Sequence, residues 1–445
     1  MSDHIDTDDV ETSEDNLQLD STLDNKKTIL SWSFYDWANS AFATTVMAGF
    51  FPLFFDGYWA SGDANALYIL GLSNSIASII VAILAPFLGA IADRMSGKKK
   101  FLFTFAILGI LTTGGLNFIA VGLWQYAVVL YILGTIGFSG ANIFYDSLLP
   151  AVASEKKIDY VSSLGFSLGY IGGGLLFVLN VLWYMMPTTF GFADANAAIK
   201  FSFMSVAIWW AVFSIPIMLF VKEPKVEEDM TFSRAIGDGW KQLLDTFRDI
   251  KHLKYVGLFL LGYWFYIDGV DTIIRMAVAY GTELGFPGES LIIALLLVQF
   301  VAFPGTLLYN LFAKKIGVKK AILVAIIAYG CITLLGAFMM VEWHFYALAF
   351  LIGCFQGGIQ ALSRSLYSRL IPKQKAAQFY GFFNMLGKFA AVIGPALMGY
   401  ISLVTGNPRL GILSVLSLFI IGGVILYFVD IEKGEKMADE FLEAE

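Results

Sequence analysis

The sequence predicts an all-α membrane protein of twelve spanning helices arranged as two six-helix halves. Three observations lead there. Of 445 residues, 58% are hydrophobic and 15% charged, whereas soluble domains carry about 25% charged residues. Apolar runs of about 20 residues, enough to cross a hydrocarbon core, recur along most of the chain. Lys and Arg fall almost wholly in alternate connections between those runs. Forty Phe, ten Trp and 43 Gly fit the same picture, because Gly is commoner in membrane helices than in soluble ones.

The first 25 residues hold nine Asp or Glu and no Lys or Arg, the reverse of a basic signal-peptide start. Residues 1–28 therefore read as a disordered acidic tail, and this tail accounts for the net charge of −7. The spans follow at 32–57, 67–91, 101–122, 125–150, 162–186 and 201–221, then at 255–280, 289–312, 320–341, 344–368, 379–404 and 410–430. The longest connection, 222–254, separates an N-terminal half (29–221) from a C-terminal half (255–430) and leaves 431–445 as a second tail. Within that connection Ile236, Trp240, Leu243, Leu244 and Phe247 stand at near-helical spacing, the pattern of a helix lying on a membrane surface or across the halves. Cys331 and Cys354 both lie inside apolar spans, so neither a disulfide framework nor a metal cluster is expected.

Twenty-five of the 29 Lys and Arg lie in the connections on one side, including Lys98 to Lys100 and Lys314 to Lys320. Lys200 and Arg409 alone lie on the other side, and Arg275 and Lys388 lie within spans. The positive-inside rule makes the first side cytoplasmic, with both termini there, and a plasma-membrane location is expected.

Charged and polar residues inside the spans are costly, so they mark candidate sites. In the first span, Asp36 and Asn39 border a cavity, meet a partner, or reach interfacial water. After the second span, Gly89, Asp93, Arg94, Gly97 and Lys98 form a G-x-x-x-D-R-x-x-G-K loop. Here Gly89 allows close helix approach, and Asp93 suits a helix N-terminus. Arg94 is expected to pair with Asp146 at the inner end of the fourth span, as a brace that closes this face. The loop also serves plain charge-driven topology. Asn142 stands one turn before Asp146 and is a further cavity candidate. In the seventh span, Asp268, Asp271 and Arg275 fall at i, i+3 and i+7, on one helical face. Asp271 and Arg275 are spaced to pair across one turn, which leaves Asp268 less compensated. Asp268 is thus the candidate for proton coupling and Arg275 for binding a substrate carboxylate; a neutral structural cluster is the competing reading. A similar spacing of Asn39 to Met47 and Asp268 to Met276 would set Asn39 opposite Asp268. In the tenth span, Gln360 is a cavity candidate and Arg364 an inner-gate residue. In the eleventh, Lys388 lies about ten residues deep, a rare and costly position, and is a candidate to bind an anionic group of the substrate or to pair with Asp268 or Asp36. Gly172 to Gly174 read as a tight helix-packing face. The three His lie in tail, loop and outer edge, which leaves no buried His relay.

The halves resemble each other. YDSLLP (Tyr145–Pro150) matches YSRLIP (Tyr367–Pro372) at an offset of 222, and the same offset carries Gly165 onto Gly387 and Gly172 onto Gly394. Two such repeats form the plan of major facilitator transporters, whose substrate sites lie between them. The Gly89–Lys98 loop resembles the signature loop of that superfamily, with Ser96 in place of a Gly and Lys314 in place of the Asp in the second-half copy. Tyr35–Val46 (YDWANSAFATTV), Leu168–Gly174 (LGYIGGG) and Gly357–Pro372 (GGIQALSRSLYSRLIP) resemble, more narrowly, the vacuole-effluxer-like family within it, over about Ser33 to Asp430. Fungal autophagy-related members of that family are taken to release amino acids from the vacuole. The resemblance implies the major facilitator fold and amino acid efflux.

The expected function is secondary transport of a small solute through the bilayer, proton-coupled or facilitative. A membrane sensor or lipid scramblase on the same fold is the alternative. No phosphate loop, zinc ligand pair or nucleophile with an in-span base appears, so neither an enzyme nor an ATP-driven pump is expected. Cofactors, metals and nucleic acid are not expected either.

Overall fold

The computed structural model describes residues 23–60, 66–93, 97–223 and 248–443. In lipid every backbone N–H and C=O needs an internal partner, and a helix supplies those partners within one segment. The chain accordingly runs as α1 (Lys26–Ala41), α2 (Ala66–Asp93), α3 (Lys98–Gly115), α4 (Trp124–Ser147), α5 (Ile158–Met185) and α6 (Ala195–Phe220). The second half holds α7 (Lys254–Glu283), α8 (Gly288–Ile316), α9 (Val318–Ala337), α10 (Glu342–Leu370), α11 (Ala376–Thr405) and α12 (Pro408–Tyr427). A short α13 (Ile431–Glu443) ends the described chain. Among the described residues, nine of these helices, α3–α10 and α12, are long and apolar enough to cross a membrane. Helices α1, α2 and α11 fill the positions of the first, second and eleventh spans.

The first helix starts at Lys26, six residues before the apolar run that marks the span. Asn25 explains the early start, because its side chain caps the helix by accepting the Lys27 N–H at 2.9 Å. Asp24 then accepts the backbone N–H and the hydroxyl of Ser154 at 3.0 and 2.7 Å. Helix α1 and its cap thus begin inside the segment 1–28 that composition assigns to the acidic tail. Residues 1–22 and most of the 222–254 connection, with its expected surface helix, lie outside the described residues, as does Arg94. Beyond Ala41 the first helix widens into π-type turns over Phe42–Phe50 and again over Phe55–Trp59. Pro52, between them, has no N–H to give to the preceding turn.

Each half has its own apolar core. One core is built from residues between Leu253 and Val429, and the other from residues between Ile29 and Val221 joined by Ala377. Large apolar side chains such as Leu111, Leu219, Ile327 and Leu403 point outward, as a lipid-facing surface requires. The glycines matched at one sequence offset hold corresponding places. A Cβ on Gly165 or Gly172 would press on Trp32 or Trp37 of α1, and one on Gly387 or Gly394 would face Tyr263 or Thr272 of α7.

The halves meet along α2 against α11, and along α5 against α8 and α10. Backbone touches backbone at the first seam. A Cβ on Gly89 would lie 2.2 Å from the Ala377 carbonyl oxygen, and one on Gly381 would lie 2.5 Å from that of Ala85. At the second seam Ser162 donates to the Ala361 carbonyl at 2.8 Å and Ser167 to the Phe303 carbonyl at 2.7 Å. Helices packing in lipid gain no hydrophobic drive from each other, so close approach through small residues and shared hydrogen bonds holds such seams.

Gly89→Val must push apart two backbones, a cost of about 1–3 kcal/mol, so the purified protein should melt at a lower temperature. Gly399→Ala, a site with nothing within 4 Å, should leave the melting temperature unchanged or slightly raised. Equal behaviour of the two variants in a thermal melt would remove Gly89 from the seam.

Candidate functional site

The polar centre of the molecule is a cavity of about 190 Å³ between the halves, walled by Asp36, Asn142, Asp146, Asp271, Gln360 and Arg364 among others. One water needs about 10–15 Å³ of such space, so there is room for several waters or one small solute. All six of these residues are charges or amides within or at the edge of apolar runs of the sequence. The cavity lies towards the end of the bundle that carries the Lys- and Arg-rich connections, called the basic end below.

Arg364, from α10, reaches across the seam into the N-terminal half. Its guanidinium lies 3.0 Å from Asp146 Oδ1 and 3.5 Å from Asp36 Oδ2, and the side chain is 3% exposed. Arg364 Nε donates to the Ser162 hydroxyl at 2.9 Å, and a terminal nitrogen donates to the Ser162 carbonyl at 2.9 Å. The planar fork of Arg suits such a multi-partner role; the point charge of Lys does not. Its face is enclosed by rings, with Phe166 4.2 Å, Trp32 4.9 Å and Tyr145 5.4 Å from the guanidinium carbon. Tyr145 donates its hydroxyl proton to Asp36 at 2.8 Å, and Asn384 donates to Asp146 at 3.3 Å. A Cβ at Gly165 would lie 2.8 Å from both Asp36 Oδ2 and the Tyr145 hydroxyl, so this glycine clears the space they fill.

Two further ion pairs close the same end nearer its surface. Arg369 lies 2.5 Å from Asp159, and Lys373 lies 2.9 Å from Glu155. The hydrogen bond and charge of Lys373 hold the Glu155 carboxyl below its ordinary range.

Several expectations from the sequence change here. Asp146 takes Arg364 of the opposite half as a guanidinium partner, a contact that joins the two halves; Arg94, the partner expected for it, lies outside the described residues. Asn39 does not face Asp268; it donates to Asn142 at 2.5 Å. Asp268 is 1% exposed and is absent from the cavity wall. Its carboxylate turns to α11, where both oxygens approach the Gly394 N–H, at 2.9 and 3.1 Å, with Thr272 3.4 Å away. That geometry depends on Gly394, because a Cβ there would sit 1.9 Å from the Thr272 hydroxyl. Asp271 supplies the wall in its place. Arg275, spaced to pair with Asp271, is exposed. The side chains of Asp93 and Lys388 lie outside those described, though α2 and α11 carry their backbones.

The sequence reading missed Trp32, Ser162, Phe166 and Asn384, and treated Tyr145 only as part of a repeat motif. Trp32 and Ser162 stand at span edges, where Trp and Ser are unremarkable. Tyr145 had one signal, its place directly before a buried acid.

A second cavity, about 120 Å³ and nearly all apolar, lies beyond the first, with Ile273, Ala277, Leu291 and Ile352 on its wall. Gln356 and Gln360, one turn apart on α10, face the second and first cavities respectively. Tyr170 donates to Gln360. Among the described residues no group of three His, Cys, Asp or Glu could hold a metal ion.

A family model described as "Vacuole effluxer Atg22 like" matches residues 24–439. An uncharacterized MFS-type transporter, YxiO of Bacillus subtilis, is 38% identical over 92% of this chain and 96% of its own length. Autophagy-related protein 22 of Yarrowia lipolytica is 27% identical over 87% of this chain and 79% of its own. Among solved structures, the human organic anion transporter MFSD10 superposes with a TM-score of 0.70 at 13% identity, over 90% of this chain and 99% of its own. The transporter FucP, in its outward conformation, gives 0.68 at 15% identity, over 91% of this chain and 98% of its own. At such identities the likeness concerns the fold alone: this chain has the major facilitator fold.

Arg364→Ala leaves two buried carboxylates without their cation, a loss of about 3–5 kcal/mol, and should lower the melting temperature sharply. Arg364→Lys should recover part of that loss, and Lys373→Ala, at an exposed pair, should cost no more than about 1 kcal/mol. A thermal-melt series that ranks Lys373→Ala with Arg364→Ala would contradict this reading.

Proposed function

The chain belongs to the vacuole effluxer Atg22-like family of membrane transporters, and on that premise we propose that it is a secondary transporter moving a small solute by alternating access. The observation that carries the reading is Arg364. A charged side chain from one half is inserted, fully desolvated, into the other half at the mouth of a polar cavity. A buried ion cluster is poor value as mere cement, since well-packed apolar residues often serve as well or better. It is well suited to a contact that must form and break, because water restores much of the solvation of each ion when the halves part.

In this state the basic end is shut by three layers. Arg364 with Asp36 and Asp146 is innermost, the close approach of α2 and α11 surrounds it, and the Arg369 and Lys373 pairs lie outermost. Opening this end requires all three to separate while the opposite end closes. The cargo proposed is an amino acid and the direction efflux, supported by the family description. The positive-inside rule supports placing the basic end on the cytoplasmic side; the membrane proposed is the plasma membrane.

Coupling to protons follows from charge. Asp36 and Asp146 share one guanidinium, so one negative charge of the three-group cluster is left for a proton to match. When Arg364 withdraws, both carboxylates need new partners. Asp268, turned to α11, serves in this scheme as a brace between α7 and α11, and the coupling role passes to the cavity carboxylates.

Proteoliposomes loaded with unlabelled amino acids should accumulate the labelled cargo by counterflow. A screen across amino acids that gives no counterflow would defeat the cargo assignment. Asp146→Asn should keep exchange but lose accumulation driven by a pH gradient. Equal loss of both activities would remove Asp146 from coupling.

A further inference from the structure

The groups that pair with, hydrogen-bond or stack on the Arg364 guanidinium belong to the N-terminal half. Trp32 and Asp36 come from α1, Tyr145 and Asp146 from α4, and Ser162 and Phe166 from α5. Together they make a finished receptor for a flat or compact cation. Two carboxylates supply charge, the Ser162 carbonyl and hydroxyl accept hydrogen bonds, and three rings within 5.4 Å present π faces. Rings of this kind around a cation add to charge recognition most when water is excluded. Trp32 and Tyr145 are stacked on each other, 4.3 Å between centroids, and Trp32 donates to the Tyr145 carbonyl at 3.0 Å. Tyr145 is in turn fixed by Asp36, and Gly165 keeps the space open. None of these supporting contacts involves Arg364, so Trp32, Tyr145 and Asp36 are held in shape by their own half, while Asp146 and Ser162 also bond Asn384 and Ala361 of the other.

We propose that this aromatic–carboxylate box is a cation-binding site which Arg364 occupies as a built-in ligand while the basic end is shut, and which takes the ammonium or guanidinium group of the cargo when that end opens. The inference rests on the transport reading above for the identity of the occupant as cargo. It does not rest on that reading for the existence of the site. Withdrawal of α10 leaves two desolvated carboxylates facing the cavity. A cargo cation entering there makes the contacts that Arg364 gives up, and Arg364 must displace it for the end to shut again. Competition between an internal cation and an external one ties occupancy to the position of the halves, because a ligand shifts such an equilibrium only by binding one state better. A solute without a cationic group offers the box nothing and should not drive the exchange.

The test separates the box from the transport reading by measuring binding. In purified Arg364→Ala, methylguanidinium and methylammonium should each raise the melting temperature saturably, by a few degrees, while acetamide should not. The rise should vanish in Arg364→Ala/Asp146→Asn. A second measurement uses an otherwise intact arginine. Ala361→Cys places a thiol at the closed seam, beside Ser162. Methylammonium should increase its maleimide labelling several-fold, and acetamide should leave it unchanged. No saturable response to either cation in the Ala variant, or a rise that survives Asp146→Asn, would overturn the box. So would unchanged labelling of the introduced thiol if the Ala variant does not fold. Absence of flux for every solute tried, with cation binding intact, would instead refute the transport reading and leave the site standing.

Discussion

Everything at the basic end is organised by one buried charge. Arg364 is almost wholly removed from solvent, and a cation so placed must be surrounded by matching groups or it drives the halves apart. The sequence meets that demand with two carboxylates, two oxygens of one serine and three aromatic faces, each from a separate point on α1, α4 or α5. Fixing one guanidinium therefore fixes the relative position of three helices in one half and one helix in the other. Glycines then admit the backbones to the distance that this geometry sets.

The arrangement also explains why the molecule is assembled from halves with separate apolar cores. Each core lies almost wholly within its own half, and hydrogen bonds, ion pairs and backbone-to-backbone contacts join the halves. A seam of apolar side chains gains little in lipid from being closed, and in water it resists opening. Hydrogen bonds, ion pairs and glycine contacts can be exchanged for water or for ligand. The two kinds of packing divide the work, with permanence inside each half and reversibility between them.

Much of the fold could be read from the chain itself. Apolar run lengths and the one-sided distribution of Lys and Arg point to an all-helical membrane protein, because both follow from the bilayer as solvent, and nine of the described helices are long and apolar enough to cross it. The site was legible only in part. Asp36, Asp146 and Arg364 stand out as charges near or within apolar runs. Their mutual contact does not, since it joins positions 218 and 328 residues apart. Helical spacing put Asp268, Asp271 and Arg275 on one face, yet a face is about 100° wide and two neighbours share it. Asp268 turned to α11 because Gly394 left its N–H within reach, a fact of tertiary packing. Trp32 escaped notice because tryptophan near a span end is ordinary in membrane proteins.

The fastening of Asp24 has a practical outcome. Its carboxylate is bonded to Ser154 and lies 3.6 Å from the Lys157 ammonium, next to Glu155, which pairs with Lys373 across the seam. The polypeptide thus enters the bundle at the lip of the seam between the halves, and not at its outer rim. A bulky protein fused just ahead of this point is delivered to that lip and acts there as a wedge or a cover, while the same cargo fused after α13 starts from another helix. For anyone labelling, tethering or immobilising the molecule, the choice of terminus is a choice of how much of the cycle is left free to run.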